Sequence, residues 1–246
     1  EPTDSTENFS GWGFNPRLDM NFIFLDKEER NKYALTSHEY LIEQVNLSRH
    51  DGIIGTKLLD LNFQHPVKQL IWTTKRNDAG LRNDWNNYTN WVYEDLSPDT
   101  TSYQFLIKEL PDEYKNIPTK TTAHFFQKNI VQEARLLFNG YERFAMRPYE
   151  FFNMVQPYQH GLRAPKDGIY MYSFALESSR FQPSGACNMS TVKNLQIEVR
   201  CTDVELNDTN NNAALENSNL NYKYMFNINV YAVSYNILRI MAGMSG

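Results

Sequence analysis

The chain has 246 residues, with 24 Lys+Arg against 29 Asp+Glu, a formal net charge of −5 and a sequence pI near 5.6. Hydrophobic residues at 41%, aromatics at 14% and charged residues at 22% exclude a mainly disordered chain and leave material for a sizeable core. No apolar run approaches the roughly 18 residues that would span a bilayer, and the mild acidity argues against a dedicated DNA-wrapping surface.

Residues 1–17 are polar and interrupted by Gly and Pro, as in a loop or arm. From Leu18 to Phe24 apolar residues alternate with Asp19 and Asn21, which predicts a half-buried strand. Asp26 followed by Glu29 forms a capping-box pattern that opens a short helix through Ala34. Residues 38–47 fit either a helix or a strand, because Tyr40, Ile42 and Val45 satisfy neither period cleanly. The group Asp51-Gly52-Ile53-Ile54-Gly55 reads as a hairpin turn.

Leu59, Leu61 and Phe63 alternate with polar residues, and Pro66, which lacks an N–H for the ladder, marks a bend or edge before a second, more apolar strand at 67–74. The region 75–122 is polar and studded with aromatics. Asn139-Gly140 between two apolar runs predicts a two-residue type I′ hairpin. Residues 149–156 fit a short helix that ends before Pro157. The stretch Ile169–Leu176 reads as a strand covered on both faces, and Leu195, Ile197 and Val199 form a half-buried one. After an Asn/Asp-rich loop at 203–221, Tyr224, Phe226, Ile228 and Val230 line one face of a final strand. About eight strands with almost no helix predict an all-β fold: an antiparallel β-sandwich of jelly-roll topology with few short helices and long loops.

The chemistry-bearing residues do not converge. The five histidines lack metal-ligand spacing, Ser184 lacks a nucleophile elbow, and the Gly-containing turn at 51–55 lacks a phosphate-binding lysine. We therefore expect neither a catalytic residue nor a metal site nor a cofactor. Cys187 and Cys201 are too few for a disulfide scaffold and are expected as free thiols. N-x-S/T sequons begin at Asn8, Asn46, Asn87, Asn188 and Asn207. The loop aromatics Trp85, Tyr88, Trp91 and Tyr93 suit an interface, packing beneath their own loop, or stacking on sugars in a carbohydrate-binding sandwich.

Six segments, taken in order, resemble the major capsid proteins of nucleocytoplasmic large DNA viruses. They are the stretch from Asp19 to Asn46; His65-Pro-Val-Lys-Gln-Leu-Ile-Trp72; Phe138-Asn-Gly-Tyr-Glu-Arg-Phe144; Phe152-Asn-Met-Val-Gln-Pro-Tyr-Gln-His160; the block from Gly168 to Ser190; and Tyr235 to Met244. Where the family carries Arg-Ile-Asp after the Asn-x-Ser of that block, this chain has Thr191-Val192-Lys193. The resemblance implies two jelly rolls in tandem, with residues 1–37 the end of a preceding jelly roll plus linker and 38–246 the C-terminal jelly roll. It implies homotrimeric, pseudo-hexagonal capsomers in an icosahedral virion assembled in the host cytoplasm, with minor capsid proteins as partners and no direct contact with nucleic acid. A penton-associated or other minor capsid paralogue would resemble the same pattern. On this reading Trp85, Trp91 and Tyr93 are candidate interface anchors. Gln182, Pro183, Ser184 and Gly185 form a tight turn between strands, with Asn188 bonding its backbone, and the 76–121 and 203–221 loops lie at the sandwich ends.

Overall fold

In a computed structural model the described residues are 17–80, 84–91, 128–202 and 224–241, together with the backbone of 244–245. The chain divides into two compact units, one of residues 1–40 with 238–246 and one of residues 41–237.

In the first unit, helix α1 spans Lys27–Leu35. Its start follows from the capping box. The Asp26 carboxylate accepts from the Glu29 N–H at 2.8 Å, and the Glu29 carboxylate accepts from the Asp26 N–H at 3.4 Å. The helix buries none of its residues, so local capping rather than packing defines it. Tyr33 stacks on His38 at 4.2 Å, and Arg239 pairs with Glu39 at 2.9 Å.

Residues 18–24 are not a strand. They lie outside any helix or ladder and are exposed, Phe22 to 70% and Phe24 to 91%. Alternation makes a segment compatible with a sheet, but an extended segment acquires strand structure only from the hydrogen bonds of a neighbour. Among the described residues none pairs with it.

The second unit is a two-sheet sandwich. Its strands are β1 (His38–Ile53), β2 (Thr56–Leu61), β3 (Pro66–Arg76), β4 (Val131–Phe138), β5 (Tyr141–Glu142), β6 (Arg147–Pro148), β7 (Ile169–Ser173), β8 (Cys187–Asn188), β9 (Leu195–Cys201) and β10 (Phe226–Met241); β1 and β10 run on into the first unit, where a short β11 (Met244–Ser245) pairs with β10. One sheet has the order β1-β10-β3-β7 and the other β2-β9-β4-β5. Leaving aside the short β6, β8 and β11, the first strand lies beside the last, the second beside the second-last and the third beside the third-last, while the middle two form a hairpin. A long hairpin rolled onto itself gives this order, which is that of a jelly roll.

Both sheets follow the two-residue side-chain period. Val67, Leu70, Trp72, Phe226, Ile228 and Val230 from one sheet meet Leu59, Leu61, Ala134, Leu136, Ile197 and Val199 from the other in a common core. Trp72 anchors it, edge-on to Phe152 at 5.0 Å and stacked on Tyr170 at 5.9 Å. A register shift between Val233 and Ser234 leaves Lys68 as a bulge residue. The outer face of the second sheet is a charged ladder in which Arg135 bridges Glu198 and Glu142, and Arg200 reaches Glu133. The Asn139-Gly140 hairpin forms as the sequence predicts, with φ of 53° and 83° and Phe138 opposite Tyr141.

The fold decides one open local reading and changes three. Residues 38–47 belong to the long edge strand β1. The Asp51–Gly55 group is not a hairpin turn, because β1 and β2 lie in different sheets; it is the corner where the chain crosses from one to the other. The Gly52 N–H donates to the Asn227 side chain and the Cys201 N–H to the Gly55 carbonyl. The helix begun near residue 150 does not stop before Pro157. It winds as a π-helix over Phe151–Val155 and continues as an α-helix over Gln156–Gln159 (together α2). Pro157 falls in the first turn of the α segment, where a missing N–H is tolerated. Finally β7 ends at Ser173 rather than at Leu176: the Phe174 and Ala175 N–H groups both converge on the carbonyl of the bulged Lys68, the Ser173 hydroxyl also accepts from the Ala175 N–H at 3.2 Å, and Leu176 is left exposed.

Candidate functional site

The strand order sends the connections to two ends of the sandwich. Residues 54–55, 77–130, 143–168 and 202–225 leave the strands at one end, and residues 62–65, 139–140 and 174–194 at the other.

The first end is built on the last residues of β3. Thr74 and Arg76 continue the inward-facing row beyond the apolar core, and both are buried. A guanidinium there must be paired. Arg76 donates from Nε to Asp78 Oδ1 at 2.9 Å and from Nη2 to Asp78 Oδ2 at 2.6 Å, a bidentate pair in which both partners are almost fully buried. Its Nη1 donates to the Asn90 carbonyl at 3.1 Å, and its flat face lies 3.6 Å from the centre of the Tyr224 ring. Tyr224 donates to the Asn90 side chain at 2.9 Å.

Around this pair the roots of the long connections are tied together. The Asn90 N–H donates to the Lys128 carbonyl, the Thr202 N–H to the Ile130 carbonyl and the Asn77 N–H to the Met225 carbonyl. The Thr74 hydroxyl donates to the Tyr88 and Gly168 carbonyls at 3.2 and 3.3 Å. Gly168 has φ of 80°, and a Cβ on it would stand 2.0 Å from the Tyr88 carbonyl oxygen, so that crossing of two backbones requires glycine. Asn87 accepts from the Thr89 N–H and hydroxyl and donates to Asp84 and to the Trp91 carbonyl. Although it heads a sequon, its amide is 3% exposed and bonded at both ends, leaving no room for a sugar in the folded chain.

The aromatic candidates separate here. Trp91 is 7% exposed and lies beneath Lys128, whose Nζ is 5.0 Å from the ring, so it packs under its own chain and has little surface to offer a neighbour. Trp85 is 66% exposed; its ring rests on Gly80 and its carbonyl accepts from Lys75 Nζ. Burial lowers the Lys75 pKa, partly offset by the Asp84 charge. Tyr93 and most of the 76–121 and 203–221 loops lie outside the described residues.

At the opposite end, Gly185 (φ of 146°) passes so close to the Phe174 carbonyl that a Cβ would lie 3.0 Å from it. Ser184 accepts from the Glu177 N–H at 3.0 Å and donates to its carbonyl at 3.2 Å, bracing the stretch that holds Gln182 and Pro183. Among the described residues the Asn188 side chain makes no hydrogen bond to the backbone of that turn. It accepts from the Ser190 N–H at 3.1 Å and caps a 3-10 turn over Met189–Thr191, so it acts forward in the chain. That turn in turn holds the β2–β3 corner: the Ser190 hydroxyl accepts from the His65 N–H, and the Met189 N–H donates to the His65 carbonyl. His65 has φ of 68°, unusual for a residue with a Cβ, and these two bonds maintain it.

Several ionisable groups described at the two ends are engaged: Arg76 with Asp78, Lys128 with Asp167, Arg180 with Glu177, and Lys166 with the Asn86 carbonyl. Among the described residues no group of three or more His, Cys, Asp or Glu is placed to hold a metal ion, and no helix is long and apolar enough to cross a membrane. Cys187 and Cys201 are free thiols, and burial pushes Cys201 up to about 12.

The family described as large eukaryotic DNA virus major capsid protein matches residues 29–246. The chain belongs to that family. It is 33% identical over 237 residues to the major capsid protein of Paramecium bursaria Chlorella virus 1, covering 92% of this chain and 52% of that protein. It is 31% identical over 252 residues to the major capsid protein of Pyramimonas orientalis virus, covering 93% and 47%. A subunit of the solved PBCV-1 virus capsid superposes with a TM-score of 0.62 at 30% identity, over 91% of this chain and 54% of that one. The Faustovirus major capsid protein, at 13% identity and a TM-score of 0.55, shares the fold. The chain spans about half the length of the curated relatives it matches.

Proposed function

We propose that this protein is a structural subunit of an icosahedral large DNA virus shell. The carrying observation is the family match across residues 29–246 combined with a complete rolled-hairpin strand order over β1–β10. Interdigitated sheets make a stiff body at near-crystal packing density. Connections rooted in a buried ion pair can vary at their tips without disturbing that body. Residues 38–246 act as the C-terminal jelly roll of a tandem pair, and residues 1–37 carry the end of a preceding jelly roll and the linker. The exposed alternating stretch Leu18–Phe24 is what a strand would look like away from its sheet. Three copies with two jelly rolls each give a pseudo-hexagonal capsomer, which binds further capsomers and minor capsid proteins. Trp85 is the anchor we assign to a subunit contact, because its ring is the exposed one of the two described tryptophans in that loop. The protein resides in the virion after assembly in the host cytoplasm and acts without a cofactor or direct nucleic-acid contact.

Quantitative mass spectrometry of purified virions tests this reading. We expect peptides of this chain at the copy number of a shell protein; absence from virions, or trace amounts, would refute it.

A further inference from the structure

A groove of about 280 Å³ opens at the end of the sandwich that carries the β2–β3 corner. Gln44 and Asn46 of β1 line one wall, and Asn62, Gln64 and His65 of the corner line the other, with Phe63 and Leu47 completing the surface. No acid, lysine or arginine contributes to it. Gln44 is held in place, since its Oε1 accepts from Asn236 at 3.1 Å. Among the described residues, Asn46, Asn62 and Gln64 make no side-chain hydrogen bond within the chain, so their amides are available to a ligand. The corner is not a soft loop. His65 keeps its left-handed backbone through the two bonds to Met189 and Ser190, and Phe63 is buried in the core.

The lining defines the ligand's chemistry. A primary amide offers donors and an acceptor together and carries no charge. It therefore matches a neutral partner that also presents both, and a peptide group does so along its length. The spacing agrees. Gln44 and Asn46 are two residues apart on a strand, which sets them about 6.6 Å apart along it. Asn62 and Gln64 flank the buried Phe63 with the same two-residue offset. An extended polypeptide repeats its peptide groups with that period, so the two β1 amides match successive repeats of one main chain, and Asn62 and Gln64 offer further amides from the facing wall. We propose that this groove binds a short extended stretch of uncharged polypeptide from another chain, gripped through its main chain by Asn46, Asn62 and Gln64. Recognition through the backbone sets conformation and neutrality rather than a particular side-chain sequence.

The test uses the whole purified chain and a library of uncharged heptapeptides with blocked ends, with affinity read by fluorescence polarisation. We expect saturable binding by selected peptides, weakened about tenfold by Asn62→Ala and again by Gln64→Ala, each removing one hydrogen bond to the ligand. Both residues are exposed, and unchanged melting temperatures will show that the variants remain folded. Methylating alternate peptide nitrogens abolishes binding, whereas exchanging Ala and Ser side chains in the peptide leaves it intact. Selection of no peptide overturns the proposal, as does binding indifferent to both substitutions or to N-methylation. Displacement of the peptide by a neutral oligosaccharide that itself loses affinity in the same variants also overturns it, by showing a sugar site. These outcomes do not depend on whether the chain is found in virions.

Discussion

The two ends of the sandwich solve different problems with different chemistry. At the end where residues 77–130 and 202–225 depart, several long connections must leave one small area, and their roots are fixed by a buried charge pair, a stacked tyrosine and a glycine through which another backbone passes. At the other end the described turns are closed by individual hydrogen bonds, some local and some between distant segments. The Asn139-Gly140 turn is tied across to Asn194 by two hydrogen bonds, Asn188 and Ser184 satisfy backbone groups close in sequence, and the Ser190 hydroxyl accepts from the distant His65 N–H. Burying charge is costly unless every partner stays in place, so the first end is all-or-none whereas the second is a sum of small independent terms. Long connections can then diversify above a base that does not yield.

Substitutions at the two ends should therefore differ in size. The largest effect is expected for Asp78→Ala, which leaves the Arg76 guanidinium buried without its carboxylate. Urea denaturation should show a loss of about 3–5 kcal/mol. A loss below about 1 kcal/mol would mean that the pair is replaceable and the contrast between the ends is wrong. Gly168→Ala comes next, at about 3 kcal/mol, because the added methyl must displace the Tyr88 backbone.

The equivalent change at the other end, Gly140→Ala, meets nothing within 4 Å and carries only the cost of a positive φ, about 1 kcal/mol. Comparing the two glycine variants separates close approach from backbone strain. Asn188→Ala removes one cap bond and should cost about 0.5–1 kcal/mol in the same assay. The last effect concerns pH. Cys201 is held protonated by burial up to about 12, against an ordinary thiol near 9. Above pH 9 the unfolded chain releases this proton and the folded chain does not. The contribution is thus complete below pH 9 and declines as pH rises toward 12. Thermal melts from pH 8 to 10.5 should show Cys201→Val gaining on the wild type with rising pH; a constant difference would place the thiol in contact with water.

The legibility of these features in the sequence follows from how local their causes are. The hairpin at Asn139-Gly140 and the cap at Asp26 depend on residues within four positions of each other, and both form as the residue types require. Strands β3, β9 and β10 were readable because one face of each is core and the other is not, which imprints the two-residue period on the chain. The same rule misleads at Leu18–Phe24, where the period is present but no described sheet receives it. Long edge strand β1 hides for the opposite reason: much of its length is half-exposed on both faces, so its periodicity is weak. The Arg76–Asp78 clamp is only two residues apart in sequence, yet nothing there signals it. What makes it a clamp is its burial beneath Asn90 and Tyr224, and those contacts exist only once distant connections share one end. Trp91 and Trp85 show the same limit. Residue type leaves both open between an interface and packing beneath their own loop, and only the fold decides that one is buried and the other exposed.

The most direct test of the structural role is a high-resolution cryo-electron reconstruction of the virion shell. Our account predicts that the repeating capsomer density accommodates residues 41–237 with strands in the orders β1-β10-β3-β7 and β2-β9-β4-β5, the bulky Trp72–Phe152–Tyr170 cluster appearing between the two sheets. Capsomer density that these strands and this cluster cannot fit, or the chain located only outside the repeating units, would contradict it.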